Sequence, residues 1–229
     1  MIKFVLLDLD DTILDFGYSE EVALCRLLRE HSVEPTEALV RRYSEINASY
    51  WRRLETGELT RTQVQEGRFA QFFEELGVVA DPAYANVHYK EMIAEICRYV
   101  DGAEQLLADL RAEGYQLYVV SNGSVSVQKG RMKLANLDNF FDGVFLSEEI
   151  GADKPSEAFF DYCFARIPDF DRKQAIIIGD SLTSDIKGGH NAGVLTCWFN
   201  PKKKPNETTV VPHYEIAALH KLPSLLKTL

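Results

Sequence analysis

The stretch FVLLDLDDTILD, residues 4–15, decides the fold. Four consecutive apolar residues make a run built for burial. It ends in Asp8, Asp10 and Asp11, with Asp15 close behind. Unpaired carboxylates are costly to bury, and crowding them raises the cost. Either these acids are solvated on a turn, or a positive group sits among them.

Working outward, residues 116–120, 144–146, 175–178 and 196–199 share the character of residues 4–7. They are short and mostly apolar throughout, as strands covered on both faces are. Helical stretches separate them. In DGAEQLLADLRAEG, residues 101–114, Asp101 with Glu104 predicts a capping box and Gly114 a C-terminal stop. Strands alternating with helices predict an α/β fold, a Rossmann-like parallel sheet with right-handed crossovers.

Residues 16–99 break that alternation, with helix after helix and no convincing strand. Thr36 opens a helix whose apolar face is Leu39, Val40, Tyr43, Ile46, Tyr50 and Leu54. Thr60 with Gln63 predicts a capping box leading to Phe69, Phe72, Phe73 and Leu76. Asp81-Pro82 reads as a cap followed by proline at the first helical position. An all-helical cap domain, residues 16–99, is therefore expected as an insertion into an α/β catalytic core of residues 1–15 and 100–229. It is too long for a loop.

The chain has 229 residues, 46% hydrophobic and 26% charged, which predicts a globular protein. A formal net charge of -10 argues against a nucleic-acid polymer as partner, because that needs a basic footprint. A small anion is not excluded, since a local cation overrides the global sign. Cys25, Cys97, Cys163 and Cys197 form no CxxC pair, and reduced thiols in a cytoplasmic protein are expected. The first apolar stretch is interrupted at Asp8, so it does not read as a secretory leader, and no run approaches the ~20 residues of a membrane helix. NPKKKPNE, residues 200–207, reads as a solvated turn.

Ligands of open parallel sheets bind beyond the carboxyl ends of the strands. Those ends here are Asp8-Leu9-Asp10, Ser121-Asn122-Gly123, Ser147-Glu148-Glu149 and Gly179-Asp180-Ser181. Asp8, Asp10, Asp180 and Asp185 should converge on one edge, and gathered carboxylate oxygens suit magnesium. Lys154 is a point charge suited to phosphate, and Ser121 and Asn122 can donate hydrogen bonds. Each signal alone is ordinary. Their order along the chain is not.

That order resembles the haloacid dehalogenase superfamily of aspartyl phosphotransferases. The motifs are DLDDT (residues 8–12), Ser121-Asn122, Lys154-Pro155 and GDSLTSD (residues 179–185), with the helical insertion where the family carries its C1-type cap. GRF in the insertion and the stretch from Gly179 to Pro201 look most like the pyrimidine 5'-nucleotidases. The resemblance implies a nucleophile at Asp8 and an acid–base at Asp10. It further implies Mg2+ held by Asp8, the Asp10 carbonyl and Asp180, with Asp185 bound directly or through water. Ser121, Asn122 and Lys154 would hold phosphate oxygens, and Thr12 would brace the loop.

The expected function is magnesium-dependent hydrolysis of small phosphate monoesters, preferably pyrimidine nucleoside 5'-monophosphates. A sugar-phosphate phosphatase or a phosphomutase of the same superfamily is the alternative, and a non-catalytic binding module the least favoured. An EF-hand fails at Ile13, where glycine is required, and neither GxxxxGK[ST] nor GxGxxG occurs. Choice of leaving group would fall to the insertion, where Asn47 could pair with a base edge, Trp51 stack on a ring and Arg68 meet a polar group.

Overall fold

The computed structural model describes all 229 residues. Six strands form one parallel sheet: β1 (Phe4–Leu7), β2 (Gln116–Ser121), β3 (Gly143–Leu146), β4 (Ala175–Gly179), β5 (Leu195–Phe199) and β6 (Tyr214–Ile216). The spatial order is β3-β2-β1-β4-β5-β6. The chain thus steps one way from β1 and then returns to its other side, which makes the junction of β1 and β4 the switch point where such sheets bind ligands. Leu7 pairs with Val119 on one side and Ile178 on the other. Every residue of β1 and β4 is buried. One face of the sheet packs Phe4, Leu6, Tyr118, Val120 and Ile177 against Phe159, Phe160 and Cys163.

β6 was not among the expected strands. It is a three-residue edge strand whose central Glu215 is exposed, so no continuous apolar run marks it.

The helices are α1 (Phe16–Glu30), α2 (Glu37–Glu55), α3 (Arg61–Leu76), α4 (Pro82–Ala94), α5 (Ala103–Ala112), α6 (Val125–Leu134), α7 (Ser147–Ile150), α8 (Glu157–Phe164), α9 (Lys187–Ala192) and α10 (Leu222–Leu226). Thr36 caps α2 by accepting from the Leu39 amide, Thr60 and Gln63 make the reciprocal box at α3, and Asp81 caps α4 ahead of Pro82. The box expected from Asp101 and Glu104 does not form. Gly102, at φ 76°, takes the N-cap position of α5 without a side-chain bond. None of the helices is long and apolar enough to cross a membrane.

The chain divides into two compact units. The sheet unit comprises Met1–Asp15, Arg98–Val125 and Ala135–Leu229, and the helical unit Phe16–Cys97 and Ser126–Leu134. Most of α6 therefore lies in the helical unit, although it follows β2 in sequence and falls within the expected core of residues 100–229. Gly130 shows how it fits there: a Cβ would lie 2.7 Å from the Ala94 carbonyl oxygen at the end of α4. Residues 98 and 99, expected in the insertion, belong to the sheet unit.

Within the helical unit, Tyr43, Phe69, Phe72 and Tyr89 pack ring against ring at 5.2–5.6 Å with Leu24, Leu27, Leu28 and Ile46 around them. Inside this core runs a polar chain with one member from each of α1 to α4. Asn47 donates to Glu20 at 2.6 Å and accepts from Arg68 at 2.7 Å, and Arg68 also donates to Asn86 at 3.0 Å. Ser44 donates to the other Glu20 oxygen. All four members of the chain are buried. Replacing Arg68 with leucine would orphan the Asn47 and Asn86 carbonyl oxygens, at about 1–3 kcal/mol for each buried acceptor left unpaired. Urea unfolding of R68L should show that loss. An unchanged unfolding free energy would mean that the chain of bonds contributes no stability.

Candidate active site

β1 ends by passing Asp8 beside β4, where the Asp8 amide donates to the Ile178 carbonyl at 2.9 Å. The chain then turns tightly. Ile13 and Leu14 donate back to the Leu9 carbonyl, and Asp11 donates to Leu14 at 2.8 Å. Asp11 sits at φ 56°, a left-handed position that aspartate tolerates better than most residues. This loop leaves Asp8 buried, Asp10 half-buried and Asp11 exposed. Thr12, expected to brace the turn, buries its hydroxyl without a hydrogen-bond partner.

Beyond β4 the chain makes a single π-helical turn, Leu182–Ile186. It swings Asp185 back over Gly179, and the Ser181 amide donates to Asp185 Oδ2 at 3.1 Å. A Cβ on Gly179 would lie 2.1 Å from that same oxygen, so only glycine leaves room for the carboxylate. The π-turn also explains how Asp180 and Asp185, five residues apart, face one centre. Oxygens of Asp8, Asp180 and Asp185 all lie within 4.8 Å of one another.

Lys154 reaches this cluster from beyond β3. The Asn122 side chain fixes its backbone, accepting from the Lys154 amide at 2.8 Å and donating to the Lys154 carbonyl at 2.9 Å. The side chain is 1% exposed. Its ammonium donates to Asp8 Oδ1 at 2.7 Å, Asp185 Oδ1 at 2.7 Å and the Val120 carbonyl at 2.6 Å, using all three hydrogens. Ser121 is buried at the end of β2, and its hydroxyl accepts from the Gly123 amide at 3.0 Å.

One ammonium does not neutralise these acids. Burial pushes the Asp8 carboxyl up to about 8; Lys154 opposes the rise, while Asp185 and Asp10 add to it. Burial likewise lifts Asp180 well above the carboxylate range, helped by Asp8, Asp11 and Asp185 and partly opposed by Lys204. Burial alone would lower Lys154, but Asp185 and Asp8 outweigh it and hold the ammonium charged beyond its usual range. Three carboxylates crowded around a point, one of them seated where a Cβ would intrude, are a hard oxygen donor set that fits a small divalent cation.

The residues expected to select the substrate are placed differently. Asn47 and Arg68 are buried in the helical unit, with their amide and guanidinium engaged with Glu20 and Asn86. Trp51 is half-buried, and the Arg61 guanidinium lies 5.7 Å from its ring. Sequence reasoning missed Glu20. Its signal was its phase, since Glu20 shares the buried stripe of Ala23, Leu24, Leu27 and Leu28 on α1. It also missed the side-chain clamp of Asn122, which a loop residue gives no sign of making.

The fold is that of a hydrolase class. Residues 2–193 match the family model of the haloacid dehalogenase-like hydrolases, and the chain belongs to that family. Among individual proteins it is 40% identical to the HAD-hydrolase YfnB of Bacillus subtilis over 98% of this chain and 95% of that one. The crystal structure of YfnB bound to magnesium superposes with a TM-score of 0.94 and covers 98% of each chain. The pyrimidine 5'-nucleotidase PynA of Streptococcus pneumoniae is 36% identical over 93% of this chain and 90% of its own. The pyrimidine 5'-nucleotidase YjjG of Escherichia coli is 32% identical over 97% of each.

The raised Asp8 carboxyl has a consequence for stability. Between pH about 4 and about 8 the folded chain holds the Asp8 proton that the unfolded chain, at the usual value of 3.8, has released. The folded state thus binds more protons, and its stability falls as pH rises through that window. Asp180 acts in the same direction, and Lys154 stays charged throughout. Thermal melts in excess chelator should decline from the acid to the alkaline end of this range. A melting temperature that rose over that range would contradict the buried acid cluster.

Proposed function

We propose that the chain is a magnesium-dependent phosphatase that hydrolyses small phosphate monoesters through an aspartyl-phosphate on Asp8, with pyrimidine nucleoside 5'-monophosphates preferred. The observation that carries this reading is the Asp8 carboxylate, buried at the sheet's switch point with Lys154 at 2.7 Å and Asp180 and Asp185 beside it. Similarity to two pyrimidine 5'-nucleotidases over nearly the whole chain supports the substrate. Four free cysteines suit a reducing compartment such as the cytoplasm.

In this reading an Asp8 oxygen attacks phosphorus, and the bond to the ester oxygen breaks in line. Asp10, half-buried two residues on, delivers its proton to the departing oxygen. Asp10 then takes a proton from water as that water attacks the phosphorus of the aspartyl-phosphate. The bond to Asp8 breaks, and inorganic phosphate leaves with Asp8 restored. Lys154 orients Asp8 and brings positive charge beside the phosphoryl oxygens, and Ser121 and Asn122 line the same strand ends. Asp8, Asp180 and Asp185, with the Asp10 carbonyl, would hold magnesium. When bound, magnesium supplies positive charge that offsets the negative charge of the phosphoryl group.

The test is phosphate release from a panel of nucleoside monophosphates and sugar phosphates, with magnesium and with chelator. Pyrimidine nucleotides should lead, chelator should stop release, and D8N should form no phosphoenzyme and show almost no turnover. Uncatalysed hydrolysis of these esters is slow enough, with enzymatic accelerations up to ~10²¹, that water cannot mask the loss. Near-normal turnover of D8N would overturn the covalent mechanism, and preference for sugar phosphates would favour the sugar-phosphatase alternative.

Selectivity is assigned to the helical unit, because phosphate and metal are presented alike by every monoester. Trp51 is half-buried beside Arg61, whereas Asn47 and Arg68 are engaged within the unit and position α2 and α3. W51A should lower kcat/KM for nucleotides by about 1–3 kcal/mol, the scale of one base–aromatic stack. It should affect p-nitrophenyl phosphate much less. Equal losses on both substrates would return Trp51 to a packing role.

A further inference from the structure

Beside Asp180 lies a cavity of about 200 Å³ within the sheet unit, whose walls include Asp11, Asp101, Asp180, Trp198, Lys202 and Lys204. The two lysines come from the solvated stretch 200–207, which nothing in the proposed chemistry uses. The stretch is built, however, and not slack. Asn200 is buried at the end of β5 and clamps Lys204 from both sides. Its side chain donates to the Lys204 carbonyl at 3.0 Å and accepts from the Lys204 amide at 2.9 Å. The Asn200 amide group is itself tied to Glu215 of β6 at 2.8 Å. The segment is anchored again where it returns to the sheet: the His213 amide donates to Thr196 Oγ1 at 3.1 Å, and the Thr196 hydroxyl lies 2.8 Å from His213 Nδ1.

Asp180 lines the same cavity, and Trp198 fixes it by donating its indole N–H to the Asp180 carbonyl at 2.9 Å. The Lys204 ammonium forms no ion pair of its own, and Lys204 lines the same cavity of about 200 Å³ as Asp180. A lysine whose backbone is clamped by a buried asparagine, while its charge is left unneutralised beside an acid cluster, has a defined electrostatic effect. It opposes the entry of more positive charge.

We infer that Lys204 is a positioning residue of the cation site, which acts through Asp180 to weaken the hold of Asp8, Asp180 and Asp185 on a divalent ion. The inference rests on the magnesium reading given above. Like charges separated by a solvent-accessible pocket repel through a high effective dielectric, so the effect is moderate and sensitive to salt. It is also confined to the cavity, which Lys202 and Lys204 line and Lys203, between them in the chain, does not.

Magnesium binding to the full chain, followed by isothermal titration calorimetry at about pH 8.5 and low ionic strength, tests this. K204Q should bind magnesium roughly three- to tenfold more tightly than the unsubstituted chain. K204R should keep the original Kd. K203Q, which removes the same charge from the adjacent exposed position, should also leave Kd unchanged. The advantage of K204Q should shrink in about 0.5 M KCl. An unchanged or weaker Kd for K204Q, or equal tightening by K203Q, would overturn the role of Lys204 while leaving the metal reading intact. No heat of magnesium binding in any of the four proteins would instead overturn the metal reading, and this inference with it.

Discussion

The Lys154 ammonium is the contact on which the site depends. It lies between Asp8 and Asp185 at 2.7 Å from each, and its third hydrogen goes to the Val120 carbonyl. Removing one partner of a buried charge pair leaves the other uncompensated, which costs far more than the pair contributes. Every element that delivers these groups is therefore constrained. β2 presents the Val120 carbonyl, Asn122 fixes the Lys154 backbone, and the π-turn after β4 returns Asp185 over a residue that must be glycine. A single lysine against Asp8, Asp180 and Asp185 leaves two negative charges when all three acids are ionised. The raised Asp8 and Asp180 carboxyls are the consequence: without further positive charge, the cluster retains protons. A divalent cation would cancel the same excess.

The helical unit handles buried polarity differently. Glu20 is buried among apolar residues, yet one of its oxygens accepts from Ser44 and the other from Asn47, and Asn47 carries the chain on to Arg68 and Asn86. A polar chain with one member per helix fixes how the four helices register against each other, which an apolar stripe alone does weakly. The two units thus use buried charge for opposite ends. One chain of partners is arranged for rigidity, and one cluster is left short of positive charge at a strand edge.

This contrast explains what was legible in the sequence. β1 and β4 announced themselves because strands buried along their whole length carry near-continuous apolar runs. β2, β3 and β5 are mostly apolar too, whereas the three-residue β6 has the charged, exposed Glu215 at its middle. Thr36, Thr60 and Asp81 made the caps their residue types predict, since an N-cap is a local bond between near neighbours. Asp101 failed at the same task because Gly102 took the cap position in a left-handed conformation that only tertiary context selects. Parallel topology alone brings Asp8 and Asp180 to one edge, whereas Asp185 joins them through the π-turn after β4. The inward turn of Asn47 and Arg68 did not, because a polar residue on a helix reads alike whether it faces a ligand or a buried carboxylate 27 positions earlier, as Asn47 faces Glu20.

That inward turn bears on how a substrate could be chosen. With the Asn47 amide and the Arg68 guanidinium engaged inside the helical unit, the proposed recognition loses its two groups best suited to reading a base edge by hydrogen bonds. A stacking side chain such as Trp51 is tolerant by nature, since every base offers a π-face. Preference for pyrimidines over purines would then come from the space available to the second ring of a purine, and not from paired donors and acceptors. Discrimination by size alone is shallow compared with discrimination by hydrogen bonds that the wrong ligand leaves unmade. A site of this kind would accept a range of pyrimidine bases, altered ones included, provided that the ring fits.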